Sequence, residues 1–320
     1  MKIDLLIRKI IKISETKIIK LFFIFFESIF LWHCNRANRK GKKINDKLFK
    51  FFAFFSDGRL YTFHRRQLHE FSNNNLDMDS EIDKKIYQLT NRSYAKLFDL
   101  NPEDVKSTIE YFYNQKIYDS HLPTNTDFPS KLIGVKDFLN NEDSNIGSFN
   151  IQSSLNSSVV KKICRMKLIW DVAKKYLNTK DVKIFSVDTM LKKRSSREHY
   201  VTNLHKDPDS AACLVFFIYW TEVSRLNGAT RIVPGNHLFL PDRNVHHYIG
   251  EPIVEYLECK GGTVFALDPW AMHAGNPKIT SPGIATQIRF TSMPSVTYYL
   301  DQNYLFKDNL DEINYINNEK

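Results

Sequence analysis

The sequence is poor in cysteine, and this limits the kinds of site and the compartment that it can serve. Its four cysteines, Cys34, Cys164, Cys213 and Cys259, lie far apart in 320 residues. None forms a Cys-x-x-Cys pair, so the spacing excludes a zinc ribbon, and four isolated thiols are too few for a disulfide framework. The composition therefore predicts a reducing compartment, and we expect a cytoplasmic protein.

A long apolar run is also missing. The most apolar stretch covers residues 21–32 and is interrupted by Glu27, whereas a spanning helix needs about 20 apolar residues. No small-residue cleavage site follows it, so a secretory signal is not expected.

Excess positive charge is absent from most of the chain. The net charge is +9, and residues 1–50 account for it with 13 basic and 4 acidic residues, while residues 51–320 carry 32 of each. A neutral body argues against nucleic-acid binding. Residues 1–50 are expected to form a basic helical segment. It either associates peripherally with an anionic membrane surface or packs on the rest of the chain with its basic face in solvent.

The rest of the chain, residues 51–320, is predicted to be one domain with a helical part and a β-rich part. In the helical part, residues 51–180, helices are predicted at 80–100, 102–113 and 161–177, with a surface loop at 122–156. The segment Asn101-Pro102-Glu103-Asp104 is typical of a helix start. From about 181 to 300, short apolar runs alternate with Gly, Pro and Asn turns. These runs are residues 182–191, 211–220, 229–233, 263–267 and 284–292. The pattern predicts an α+β protein whose core is mainly β, an antiparallel sandwich or barrel.

One short motif carries chemistry. In Asn203-Leu-His205-Lys-Asp207-Pro, an imidazole and a carboxylate stand two residues apart. On a strand, residues i and i+2 project from one face, so both would reach the same point. With one more imidazole they would form a two-His-one-carboxylate metal site with open positions. By itself the triplet is weak, because about one such triplet is expected by chance.

The segments that follow this motif make it more specific. They are the apolar run 214–220, the turns Asn227-Gly228 and Pro234-Gly235-Asn236-His237, the segment 261–277 with His273, and Gln287-Ile-Arg289-Phe290. This order, over about residues 182–293, resembles the phytanoyl-CoA dioxygenase family of Fe(II)- and 2-oxoglutarate-dependent oxygenases. The resemblance implies a double-stranded β-helix, which is a jelly-roll barrel, and a hydroxylation that consumes O2 and 2-oxoglutarate. It also implies that His205, Asp207 and His273 bind the iron.

The resemblance further implies a pocket for 2-oxoglutarate. The family places an Arg for the distal carboxylate about ten residues after the second His, but here that place is Ser281-Pro-Gly283. Arg289 is therefore expected to hold the carboxylate, with Arg231 in reserve. A guanidinium suits this role because it binds a carboxylate through two parallel hydrogen bonds. Asn203, Tyr219 and Thr286 are expected to line the pocket.

The substrate is expected to be a small molecule, an acyl compound or a lipid- or sugar-linked compound. A basic cluster, Lys192, Lys193, Arg194 and Arg197, either flanks the entrance and favours an anionic substrate or forms a solvated loop. His237 is expected to be structural. The alternative function is a non-catalytic jelly-roll module that binds a polysaccharide or lipid partner, and such a module would not need the three ligands.

Overall fold

The computed structural model describes residues 76–119, 132–180, 182–194, 202–207, 212–238 and 253–292. The basic segment 1–50 lies outside these ranges. Within them, no helix is long and apolar enough to cross a membrane. Among the described residues, Cys164, Cys213 and Cys259 form no disulfide.

Six helices are described, all in the first part of these ranges. They are α1 (Glu81–Arg92), α2 (Pro102–Tyr113), α3 (Val135–Asn140), α4 (Ile151–Asn156), α5 (Ser158–Cys164) and α6 (Lys167–Tyr176). Asn101 caps α2 by accepting the Asp104 backbone N–H at 2.7 Å, and Pro102 occupies the first turn, as the sequence predicted.

The predicted helix 80–100 is wrong after Arg92. Helix α1 ends at Ser93, whose φ of 68° is left-handed, and residues Tyr94–Asp99 form a strand, β1. The predicted loop 122–156 is also wrong where it is described, because it contains α3, α4 and two strands. These strands of the first part pair with partners distant in sequence, and such pairing can override a local helical pattern.

Eleven strands are described, in two sheets. They are β1 (Tyr94–Asp99), β2 (Lys116–Asp119), β3 (Leu132–Gly134), β4 (Ile146–Phe149), β5 (Lys183–Lys192), β6 (Cys213–Tyr219), β7 (Arg231–Ile232), β8 (Glu255–Tyr256), β9 (Thr263–Leu267), β10 (His273–Ala274) and β11 (Gly283–Thr291). The large sheet has the order β1-β9-β6-β11-β5-β4-β2-β3, and the small sheet has the order β10-β7-β8. A bridge between His205 and His273 adds the His205 segment beside β10.

The path of the chain between the sheets defines the fold. From β5 onward it passes to the His205 segment, back to β6, across to β7 and β8, back to β9, across to β10 and back to β11. The rows β9-β6-β11-β5 and His205-β10-β7-β8 thus face each other as the two halves of a jelly roll. The predicted fold class, a mainly β double-stranded β-helix flanked by helices, is confirmed.

The large sheet is covered on both faces, and strand β6 shows how. Leu214, Phe216 and Ile218 pack in the same core as the helices, whereas Val215 and Phe217 pack in a second core inside the barrel. We call the barrel side the inner face of the large sheet. All seven residues of β6 are buried, which explains its unbroken apolar sequence.

Candidate metal centre

Backbone pairing brings the two halves of the motif together. His205 and His273 exchange two backbone hydrogen bonds, each of 2.9 Å, and the Asp207 N–H donates to the Pro269 carbonyl at 2.9 Å. Two residues that face each other in an antiparallel pair project from the same side. The pairing therefore aligns the side chains of His205 and His273 across a distance of 68 positions in the sequence.

The three side chains converge on one point. His205 Nε2 lies 3.5 Å from Asp207 Oδ1, and His273 Nε2 lies 3.6 Å from Asp207 Oδ2. One ligand atom from each residue lies within 4.8 Å of the others. The structure therefore brings together the three residues that the sequence singled out as metal ligands.

Both imidazoles are oriented by the backbone. His205 Nδ1 lies 2.7 Å from the Asn203 carbonyl, and His273 Nδ1 lies 2.9 Å from the Ala271 carbonyl. A carbonyl can only accept, so each Nδ1 carries a proton and donates it. A neutral ring then has its lone pair on Nε2, which is the atom that faces Asp207. This arrangement fixes the tautomer that binds a metal.

The charge states also suit a cation. Burial lowers the pKa of His205, and this outweighs the hydrogen bond to Asn203, so the neutral ligand form is favoured. Burial by itself raises the pKa of Asp207. The neighbouring groups His273, Arg289 and His205 together outweigh burial and hold the pKa of Asp207 well below its usual range.

Arg289 lies beside the triad on strand β11. Its Nη2 donates to Asp207 Oδ2 at 3.2 Å. The same Nη2 and Nε donate to Gln287 Oε1 at 2.7 and 3.2 Å. Gln287 is thus a positioning residue for Arg289 that the sequence reasoning missed. The signal was available, because residues two apart on a strand share a face.

Two of the expected pocket residues are not placed as predicted. Thr286 lies between the inward-facing Ala285 and Gln287, so it projects from the opposite face. There its hydroxyl contacts Thr189 and accepts from Trp220 Nε1, both at 2.8 Å. The Asn203 side chain is exposed, and this residue acts on the site through its backbone carbonyl instead.

The remaining two candidates lie in different surroundings. Tyr219 is on the inner face, and its hydroxyl donates to Thr230 Oγ1 at 2.7 Å. Arg231 pairs in register with Ala274, one position out of phase with His273. Its side chain therefore leaves the small sheet on the face opposite to the His273 imidazole, where it donates to the Thr202 carbonyl.

The basic cluster is not one surface. Lys193 is buried and donates to the carbonyls of Leu139, at 3.2 Å, and Asn141. Lys192 is the last residue of β5, opposite Gly283, and extends from the inner face of the barrel. Arg194 is exposed, and Arg197 lies outside the described residues.

Comparison with known proteins supports the fold. No family model matches the sequence, and no curated protein sequence matches it significantly. The chain is similar in structure to the non-heme alpha-ketoglutarate-dependent carbocyclase SnoK from nogalamycin biosynthesis, with 13% identity, a TM-score of 0.51, and coverage of 71% of this chain and 89% of SnoK. It is also similar to EctD from S. alaskensis with bound Fe, with 17% identity, a TM-score of 0.48, and coverage of 68% of this chain and 80% of EctD. A third similar structure is HygX from Streptomyces hygroscopicus with nickel and 2-oxoglutarate bound. It has 11% identity, a TM-score of 0.46, and coverage of 68% of this chain and 89% of HygX. The similarity to SnoK shows that the chain shares the fold of that protein.

Proposed function

We propose that this protein is an Fe(II)- and 2-oxoglutarate-dependent oxygenase that acts on a small molecule. The observation that carries the proposal is the convergence of His205, Asp207 and His273, with both Nε2 atoms turned toward the carboxylate. SnoK, which shares the fold, is described as alpha-ketoglutarate dependent. A jelly-roll module that only binds a partner would not need two imidazoles held in the metal-binding tautomer.

The donor set fits iron. Two imidazoles and one carboxylate on one side of a metal leave positions open for a bidentate keto acid and for dioxygen, which is the pattern of non-haem iron oxygenases. With both bound, the iron would supply an oxidant made from O2, and 2-oxoglutarate would be converted to succinate and CO2.

The protein residues would hold and shield this centre. His205 and His273 would each bind through Nε2, while their Nδ1 hydrogen bonds to Asn203 and Ala271 keep the rings aimed. Asp207 would contribute one negative charge. Strands β6 and β9 give the inner face an apolar part, with Val215, Phe217, Phe265 and Leu267 among its buried residues. Such a wall would limit the access of water to a reactive centre.

We further propose that the reaction is a hydroxylation of the phytanoyl-CoA dioxygenase type, on an acyl or lipid- or sugar-linked substrate that carries negative charge. The support is the order of the sequence segments and the position of Lys192 and Arg289, which both lie on the inner face. Succinate release measured against a panel of anionic and neutral substrates would test it. A panel in which only neutral compounds stimulate release would contradict the anionic class.

Iron binding tests the central proposal directly. Anaerobic addition of Fe(II) and then 2-oxoglutarate to the metal-free protein is expected to give one bound iron per chain and the visible charge-transfer band of a ferrous keto-acid chelate. His273→Ala should lose both, because it removes one of three ligands. His237→Ala is the matched control, since that imidazole lies against Ser93 at 2.7 Å and outside the triad. A wild-type protein without iron or band would refute the proposal.

A further inference from the structure

We propose that Asp268, held by Tyr176, positions two of the three metal ligands. This role rests on the proposed function, because it concerns the same metal site. It belongs to a short turn, residues 268–272, that joins β9 to β10 and contacts both His273 and Asp207 through backbone carbonyls. Asp268 and Tyr176 are positioning residues, since neither would touch the metal or a substrate.

The turn interrupts the pairing between the His205 segment and β10. In a regular antiparallel ladder that starts from the pair of His205 and His273, Asp207 would face Ala271, and its N–H would donate to the Ala271 carbonyl. In the structure the Asp207 N–H donates instead to the Pro269 carbonyl, 2.9 Å away. The turn is therefore a bulge that places two extra residues opposite the His205 segment.

The bulge gives each of two ligands its own backbone acceptor. The Ala271 carbonyl, which a regular ladder would offer to Asp207, accepts the Nδ1–H of His273 at 2.9 Å. The Pro269 carbonyl accepts the Asp207 N–H in its place. Without the bulge, both donors would have to share the Ala271 carbonyl. The shape of the turn therefore sets the direction of the His273 ring and the position of the Asp207 backbone together.

Asp268 closes the bulge from its first residue. Its Oδ1 accepts the backbone N–H of Trp270 at 2.9 Å, and its backbone carbonyl accepts that of Ala271 at 3.0 Å. An Asp side chain that accepts from the backbone two residues further on is a common way to fix a turn. Asp268 and Trp270 are both buried, and a buried backbone N–H needs a partner inside the protein. The Asp268 carboxylate supplies that partner and so allows the bulge to be buried.

Tyr176 holds the second oxygen of this carboxylate. It is the last residue of helix α6, and its hydroxyl donates to Asp268 Oδ2. The backbone N–H of Asp268 donates to the carbonyl of Ser93, at the end of helix α1, over 2.8 Å. Both contacts come from the helical part of the chain. The helices that cover the large sheet therefore also hold the turn that carries the second histidine.

The test measures metal affinity and folding stability separately. Co(II), a spectroscopic substitute for Fe(II), would be titrated into the metal-free protein, and its visible d–d absorption bands would be followed. Tyr176→Phe removes only the hydroxyl and should weaken Co(II) binding about 10- to 100-fold, as is typical for residues that orient metal ligands. The bands should also shift, because the turn no longer holds His273 and Asp207 in place. Asp268→Ala should weaken binding at least as much. Asp268→Asn should keep most of the affinity, since its amide oxygen can still accept the Trp270 N–H.

Thr286→Val is the matched control, because it also removes a buried hydroxyl, one that accepts from Trp220 Nε1 on the face of the sheet away from the metal. Urea unfolding of the metal-free variants should show a loss of stability for the control as well as for Tyr176→Phe. The Co(II) affinity and the bands of the control should nevertheless stay those of wild type.

The possible outcomes separate this role from the proposed function. Wild-type Co(II) affinity and bands in Tyr176→Phe would overturn the role of Asp268 and leave the proposed function standing. An equal loss of affinity in Tyr176→Phe and in Thr286→Val would have the same meaning, because the loss would then follow stability alone. If the wild-type protein binds neither Co(II) nor Fe(II), the proposed function fails together with the role of Asp268. If Asp268→Ala does not fold, Tyr176→Phe and its control decide the question.

Discussion

Replacing Lys192 with methionine is expected to stabilise the folded protein, because it removes a partly buried charge. Burial lowers the pKa of Lys192 from 10.5 to about 8. At 1.36 kcal/mol per pKa unit, the buried ammonium costs up to about 3 kcal/mol of folding free energy at neutral pH. Lys192 is only partly buried, so solvent screens its charge, and we expect a gain of about 1–3 kcal/mol. Methionine keeps an unbranched chain of similar shape.

The stability difference between Lys192→Met and wild type should depend on pH, because the pKa of Lys192 differs between the folded and the unfolded chain. Below pH 8 the ammonium is protonated in both the folded and the unfolded chain, so the penalty is fully present. Between pH 8 and 10.5 the unfolded chain binds more protons at this position, and wild-type stability rises relative to that of the variant. The difference between Lys192→Met and wild type should therefore be largest at pH 7 and nearly vanish above pH 10. Urea unfolding of the metal-free protein at several pH values would measure it.

The neighbouring lysine is the control. Lys193 donates to the backbone carbonyls of Leu139 and Asn141, and its ammonium lies 5.5 Å from the centre of the Phe138 ring. Lys193→Met should destabilise the protein by about 1–3 kcal/mol, because buried carbonyls lose their donor. If Lys192→Met is equally destabilising, or if its effect is the same at pH 7 and pH 10, the ammonium of Lys192 is not the desolvated cation that we describe.

Two other predictions concern different features of the chain. Thr286→Val should leave 2-oxoglutarate affinity unchanged and lower the free energy of unfolding by about 1–3 kcal/mol, because the buried Trp220 N–H loses its acceptor; weaker 2-oxoglutarate binding would place this side chain in the pocket after all. Residues 1–50 should give salt-sensitive binding to anionic vesicles, since each basic residue near such a surface contributes about 1 kcal/mol. Flotation assays of the full chain and of a variant that lacks residues 1–50 would measure this, and equal flotation of both would contradict it.

The sequence predicted best what is encoded locally. The i, i+2 spacing of His205 and Asp207 requires only one extended segment, and the strand at Thr263–Leu267 was predicted with the bounds that the structure has. An apolar run bounded by turn residues specifies such a strand without knowledge of its partners. The helix cap at Asn101 is local in the same sense, and it was predicted for the same reason.

The errors lie where distant pairing decides. Tyr94–Asp99 is a strand because it pairs with β9, more than 160 positions away. The residues next to it in the sequence do not indicate this partner. Strand β11 is buried on both faces, so its sequence does not alternate between polar and apolar residues. The sequence therefore does not show which of its side chains face the pocket, and Thr286 was assigned to the wrong face. A shift of one position then moves a side chain to the other face of the sheet.

For Lys192, charge patterning left two alternatives open, a residue that flanks the entrance and a residue of a solvated loop. In sequence it begins a basic run with Lys193 and Arg194, a pattern typical of a solvated loop. In the structure, β5 continues through Lys192, and strand alternation turns this residue toward the barrel while Lys193 turns toward backbone carbonyls outside it. Adjacent lysines therefore have opposite energetic roles. Lys193 is satisfied by hydrogen bonds to backbone carbonyls, whereas no carboxylate in the described part of the chain pairs with Lys192, and burial lowers the pKa of its ammonium. Removing the charge of Lys192 should therefore stabilise the protein, and removing that of Lys193 should destabilise it.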